Sequence, residues 1–535
     1  MATSLQQARY APENAPALAA GWELHRVTAP SRLFGANGLR TGPDGRMYIA
    51  QVTGSQISAI DVGTGVIEAI SPKGGDIVAP DDLAFDGDGN LYATEYFDGR
   101  VSVREPSGRT RVLRDDLPAA NGITVHRGRL FVNECREGGR LMELDPAGGA
   151  PRVLLENLAG PNAMEVGPDG LLYYPLMMAN EIWRVNPDQE GPCEPQRVAA
   201  ELGAPDAVKF DADGFIVSTQ VASGQVLRID PRTGAQTVLA QLNPGLDNLT
   251  IVDGRLFASN FTGEITEVLA GGGTRALLPG GLNWPHDLAI GGDGRLYIAD
   301  GTYFYAVAAD GALETVAMLF TPGYPGYLRG LAATGAGDFL VTTSLGQVGR
   351  YRPGGETDYL ATGFDQLYGI AVGSDDTAVF AELGAGRVHA LRGGATEVLA
   401  TGLAEPSGVA FGPDGAPLVT EAAGGRVVRL AGGRAETMAD GLDQPQGILV
   451  DGTTAFVVDA GAKAVVAVDL GTGTRETIAS GLPIGAPPGV TPKPLRGIPP
   501  FSGPQGPFAG ITRAPDGTLY VAADGDGSVL ALRRA

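Results

Sequence analysis

The 535-residue chain is predicted to be all-β, folded as two tandem six-bladed β-propellers of four-stranded antiparallel blades. Three observations lead there: a text that recurs at the length of one blade, turn-forming glycine and proline spread along the whole chain, and two strand-like stretches left over once the blades are counted.

The recurring text is a polar residue, a small residue and an aliphatic strand, then a DG-type turn and a second apolar strand. It reads "NGLRTGPDGRMYIAQ" at Asn37, "DDLAFDGDGNLYATE" at Asp81 and "NGITVHRGRLFVNE" at Asn121, and continues through Asn162, Asp206 and Asp247. Six further copies begin at His286, Arg329, Tyr368, Ser407, Gln446 and Ala509, and the spacing is mostly 39 to 44 residues. Within a copy the period-2 alternation continues, as in "GQVLRIDPRTGAQTVLAQL", so each unit reads as two hairpins. Twelve units exceed one ordinary ring, and two rings of six are the economical arrangement.

Closure sets the expected domains. The last unit ends after its third strand, while "GWELHRVT", residues 21–28, and "GTRALLPG", residues 273–280, read as orphan outer strands. If each ring is closed by the strand that precedes it, residues 1–20 form a loose arm, 21–270 the first propeller and 271–535 the second. The second carries a Pro-rich loop at 481–508, expected, with Phe501, Phe508, Tyr324 and Tyr327, to roof its funnel or to contact the other propeller.

Composition narrows the partners. With 81 Gly, 38 Pro and 43% hydrophobic residues the chain has turns and core in plenty, and its formal charge of -22 argues against nucleic acid or an anionic membrane. Cys135 and Cys193 cannot build a disulfide framework. No basic-then-apolar leader and no membrane-length apolar run is evident, so the expectation is a soluble, cytoplasmic protein acting on a small molecule, of unspecified oligomeric state.

The candidate site follows from blade geometry. The first residue of each unit stands at the upper rim of the central funnel, and in the first propeller these residues are Asn37, Asp81, Asn121, Asn162, Asp206 and Asp247, all Asx. One such residue is ordinarily a turn cap. Six of six is harder to assign to turns, because the second propeller makes the same turns with His286, Arg329, Tyr368, Ser407, Gln446 and Ala509. Three carboxylates converging on an axis repel one another, and either a bound cation or protons shared among the aspartates relieves the repulsion. All-oxygen donors suit a hard ion, Ca²⁺ before Mg²⁺ or Zn²⁺. Counting fourteen residues on from Asp81 also places Glu95 on the funnel wall.

At this point the residues resemble a family: the calcium-dependent six-bladed propellers of senescence marker protein (regucalcin), the gluconolactonases and the diisopropylfluorophosphatase-like enzymes. Blade text in both halves carries the resemblance, and the ligand signature, "NGI" at Asn121, "PNAM" at Asn162 and "PDAV" at Asp206, lies in the first. The resemblance implies a substrate-facing Asn121, a metal-binding Asn162 and an Asp206 that binds metal and serves as base or nucleophile. The family's first-blade glutamate is Asn37 here, so Asp81 or Asp247 must supply the missing charge. The implied activity is a metal-dependent lactonase or esterase. Catalytic candidates are Asp206, Glu95 and Glu134, with Asn121 and Asp81 toward substrate and Asn37, Asn162, Asp206 and Asp247 toward metal.

Two alternatives stand beside it. His286, with Asp287 adjacent and Asp300 fourteen residues on, resembles the acid/base pair of virginiamycin B lyase, which implies a lyase in the second propeller. A non-enzymatic binding scaffold is the other, because fold alone does not fix function.

Overall fold

The twelve inner strands pair with their hairpin partners and then outward, giving twelve sheets in the computed structural model, eleven of four strands and one of five. The structure describes residues 8–10, 15–499 and 502–535. Among these the only helical element is one 3₁₀ turn, Met177–Ala179, and no helix is long and apolar enough to cross a membrane. The chain divides into two compact units. One holds Arg32–Gly280 with Thr491–Arg496; the other holds the described residues up to Ser31 together with Gly281–Val490 and Gly497–Ala535.

In the unit of Arg32–Gly280 the blades span Leu39–Ser71, Pro80–Arg114, Ala120–Ala159, Glu165–Ala199, Pro205–Gln241 and Leu246–Leu278. Hydrogen bonds join each blade to the next around the circle. Gly38 N donates to Asp81 O (2.7 Å), Ile123 N to Asp82 Oδ2 (3.1 Å) and Asn133 Nδ2 to Asn162 O (2.7 Å). Val208 N then donates to Ala163 O (3.0 Å), Thr219 Oγ1 to Asp247 O, and Ser259 Oγ to Asn37 O (2.7 Å), which closes the ring. Apolar side chains fill the wedges between blades, as Leu39, Ile49, Phe257 and Ile265 do between the sixth and the first.

The second unit repeats the plan from Asp287–Met318 to the sheet of Ile511–Arg534, and Gly510 N donates to His286 O (2.7 Å) to close its circle. The glycine that follows so many axial residues is a consequence of this closeness. A Cβ on Gly122 would lie 2.5 Å from Asn162 O, and one on Gly330 2.3 Å from Tyr368 O.

The expected closure is wrong. Trp22–Arg26 pairs with Ser528–Arg534, register Trp22↔Arg534 to Arg26↔Leu530, and completes the last blade. Thr274–Leu278 pairs with Ile265–Val268 and completes the blade of Asp247. The physical reason is local. "LAGGG" is a hairpin turn, with Gly271 and Gly272 at positive φ and Leu269 N bonded to Gly273 O (2.8 Å). A strand one tight turn away outcompetes one that must close some 240 residues of chain. The boundary therefore falls at Gly280/Gly281 rather than at 270/271.

Nor is the described part of the N-terminus a loose arm. Arg9 donates to Leu282 O (3.2 Å), Asp524 O (2.7 Å) and Gly525 O (3.2 Å), and Ala17–Leu18 adds a fifth strand beside Arg475–Ser480.

Candidate functional site

Four of the axial Asx residues, Asp81, Asn121, Asp206 and Asp247, sit at an irregularity of their inner strand, and the irregularity decides what faces the funnel. In the second blade Leu83↔Ala93, Ala84↔Tyr92 and Phe85↔Leu91 pair in regular register, which extrapolates to Asp81↔Glu95. A β-bulge intervenes, and the pair formed is Pro80↔Glu95. The same shift pairs Glu134 with Ala120 instead of Asn121. A slip of one residue moves a side chain to the other face of the sheet.

Glu95 is accordingly buried in its blade, accepting from Val78 N (2.5 Å), Arg100 Nη2 (2.5 Å) and Ser102 Oγ. Glu134 is gripped by Arg140 and by Arg136 (3.1 Å). The expectation that both acids line the funnel is corrected: each is a buried ion-pair partner.

The six axial residues do come together, as three hydrogen-bonded pairs of neighbouring blades. Asn37 Nδ2 donates to Asp247 Oδ2 (2.8 Å), Asn121 Nδ2 to Asp81 Oδ2 (2.9 Å) and Asn162 Nδ2 to Asp206 Oδ2 (2.8 Å). The three aspartates are 4–8% exposed. Burial first, then repulsion from Asp247 and Asp82, raises Asp81 well above the usual carboxylate range; burial and the charges of Asp247, Asp81 and Asp82 do the same to Asp206. Burial pushes Asp247 up to about 7, against the stabilising bond from Asn37. Among the described residues, no three His, Cys, Asp or Glu side chains are gathered as a metal's shell would gather them.

Three residues further along the inner strands lies a layer the sequence reading missed. Arg40 spans the axis, donating to Leu83 O (2.6 Å), Ile123 O (2.8 Å) and Glu165 Oε2 (3.0 Å). Lys209 Nζ also donates to Glu165 (2.8 Å). Lys209 and Arg40 together hold Glu165 below its usual range despite its burial. This ion cluster floors the Asx ring. Its signal was present as charged residues at the third position after Asn37, Asn162 and Asp206 in strands otherwise apolar.

Near the ring, burial and then Asp206, Asp81 and Asp247 raise the Cys135 thiol well above its ordinary value, which makes it a poor nucleophile.

The second axis is built differently. His286 is buried, its Nε2 3.1 Å from Arg329 Nη1, and burial and that guanidinium hold it well below its ordinary pKa. Asp300 accepts from the backbone N–H groups of Asn283 (2.9 Å) and Trp284 (2.5 Å). Asp287 accepts from Leu288 and Leu331 (both 2.9 Å), and burial pushes both acids up to about 7. His286 thus faces Arg329 rather than either acid.

Residues Pro504–Gly506 and Phe508 cover this axis, as the Pro-rich loop was expected to, whereas Phe501 lies outside the described residues. Tyr324 packs on Tyr351 and donates to Gly301 O (3.0 Å) instead of joining the roof. Of the other histidines, His389 is bonded to Glu382 (2.6 Å) inside a blade and His25 lies on the surface beside Glu23.

No curated protein matches the chain. Among solved structures, a streptogramin B lyase is similar at 18% identity, with a TM-score of 0.39, over 52% of this chain and 94% of that one. A putative gluconolactonase is 18% identical over 49% and 95%, with a TM-score of 0.39. A gluconolactonase of Xanthomonas campestris is 16% identical over 48% and 96%, again with a TM-score of 0.39. Residues 124–251, the stretch that contains Asn162, Asp206 and Asp247, match the family described as the SMP-30/Gluconolactonase/LRE-like region.

Proposed function

We propose that the propeller of Arg32–Gly280 is a divalent-cation-dependent hydrolase of a small lactone or related ester. The observation that carries this reading is the Asx ring: three buried carboxylates turned to one axis, each bonded to an Asn amide, Asp206 and Asp247 in direct contact with one another, and acidic side chains raising Asp81 and Asp206 further. The match of residues 124–251 supports the lactonase class.

The donors are oxygens alone, which fits a hard ion such as Ca²⁺. Asn162 and Asp206, aided by Asp247 and Asn37, would hold it, and the Asn162–Asp206, Asn37–Asp247 and Asp206–Asp247 bonds would open to do so. Bound there, it supplies Lewis-acid polarisation of the scissile carbonyl. The Asn121–Asp81 pair presents polar groups to the substrate. Asp206, a carboxylate at the axis, is suited to take the proton of the attacking water. The Arg40–Glu165–Lys209 floor closes the axis below, so substrate enters from the rim.

The test is hydrolysis of an aldonolactone followed by pH-stat, with chelator, with Ca²⁺ restored, and in Asp206→Ala. Activity that disappears with chelator, returns with Ca²⁺ and is absent from the variant is expected. Turnover that survives both chelation and Asp206→Ala refutes the assignment.

A further inference from the structure

Asp287, the acid beside His286, has an equivalent in the other propeller, and the two are satisfied differently. Gly38 N donates to Asp81 O and Gly510 N to His286 O (both 2.7 Å), so Asp82 and Asp287 occupy matching places. A Cβ on Gly38 would lie 2.9 Å from Asp82 Oδ1, and one on Gly510 2.2 Å from Asp287 Oδ1. Each carboxylate accepts the next residue's N–H, from Leu83 (2.8 Å) and Leu288 (2.9 Å), and one N–H from the following blade, Ile123 (3.1 Å) and Leu331 (2.9 Å). Asp82 is then met by an amide, Asn248 Nδ2 (3.3 Å), and by a cation, Arg40 Nη2 (3.9 Å). Asp287 is 7% exposed and has neither among the described residues. A buried carboxylate without a counter-charge is costly, and a cation brought to it is correspondingly favoured.

The repeat shows what has been removed. Counted from the axial residue of each blade, the positions of Arg40, Glu165, Lys209 and Asn248 carry Thr512, Ala371, Ala410 and Gly447 in the second propeller. Where the first axis holds its ion cluster, the second has a cavity of about 390 Å³, open to solvent, whose lining includes these four residues together with Asp287 and Arg513. Asp287 lies deep in this channel. Arg513 stands three residues beyond Gly510, about 10 Å further along the strand, and is partly exposed at the mouth. Its Nε faces Asp451 (3.2 Å) in a bridge open to solvent, which holds it weakly.

We propose that this channel binds a small zwitterion, a guanidino acid whose cation stands to Asp287 as Arg40 stands to Asp82 and whose carboxylate meets Arg513. The guanidinium enters space that the first propeller fills from its own chain, and Asp287 is its acceptor. Arg513 at the mouth repels a plain cation and draws the carboxylate, so the two ends are recognised together.

The test uses the full-length protein at pH 8, where Asp287 is ionised, with 4-guanidinobutanoate as probe and butanoate and propylguanidine as controls, followed by titration calorimetry. The probe should bind at least tenfold more tightly than either control. Asp287→Asn should abolish its binding, and Arg513→Gln should reduce its affinity to that of propylguanidine. Thr512→Arg, which sets a guanidinium where Arg40 stands, should also abolish binding and raise the melting temperature at pH 8, whereas Thr512→Met should not raise it. Circular dichroism checks that each variant is folded. If Asp287→Asn is not, Arg513→Gln and Thr512→Arg decide. No binding of the probe, equal binding of butanoate, or binding indifferent to the Asp287 and Thr512 substitutions overturns the proposal.

Discussion

Replacing Asp247 by Asn should stabilise the protein in chelator at pH 8 and at the same time remove its response to Ca²⁺. Burial raises this carboxyl from 3.8 to about 7. A folded-state pKa above the unfolded value means stability that is fully present below about pH 4 and lost as pH rises through about 7. Each tenfold change in proton affinity is worth about 1.4 kcal/mol, so ionising Asp247 in the folded state costs roughly 4 kcal/mol by pH 8. That is an upper limit, because Asp206 and Asp247 interact closely enough to share the burden.

Asparagine keeps an oxygen for the Asn37 amide and carries no charge, so the variant escapes the cost. For a unit of about 250 residues a gain of that size raises the melting temperature by roughly 8–16 °C, at about 2–4 °C per kcal/mol. On the proposed function, added Ca²⁺ should return this cost to the natural protein through mass action and should not do so for the variant. Scanning calorimetry at pH 4, 6 and 8, with chelator and with Ca²⁺, reads all of this. The stabilisation should be all but gone at pH 4, where the folded carboxyl is protonated and the unfolded one is near its midpoint. A variant that melts lower than the natural protein at pH 8 in chelator, or that keeps the full Ca²⁺ shift, refutes the reasoning.

Three further outcomes are expected. Glu134→Gln breaks the pairing of a buried carboxylate with the partly exposed Arg140 and Arg136, and should cost about 1–3 kcal/mol of stability while leaving kcat per folded molecule unchanged; a large loss of kcat would return Glu134 to the catalytic set. Trp22→Ala removes a side chain packed on Phe456 (ring centres 6.1 Å) and beneath Arg534, and should cost about 3–5 kcal/mol in the calorimetric transition of the unit containing Gly281–Val490, leaving that of Arg32–Gly280 in place. In the native state at pH 8 a thiol reagent should label Cys193, which is partly exposed, and spare Cys135, so that one equivalent reacts before unfolding and two after.

The repeat text was enough to specify twelve four-stranded blades in two sets of six, because turn chemistry and period-2 alternation are local properties that each blade states for itself. It also placed all six Asx residues at one radial position, since a repeated unit puts equivalent residues at equivalent depths. What the text could not state was register beyond the turn. A bulge of one residue between Pro80 and Leu83 turned Glu95 from the funnel into its blade, and the matching bulge did the same to Glu134.

Nor could alternation choose between partners for two interchangeable outer strands. Proximity along the chain chose, through the "LAGGG" hairpin, and left the last blade as the partner of Trp22–Arg26. The Arg40–Glu165–Lys209 floor and the covering of Arg329 by Pro504–Gly506 likewise join residues tens to hundreds of positions apart. A buried charge finds its counterpart across the closed ring, where burial makes the pairing matter, and that distance exists only once the ring has closed.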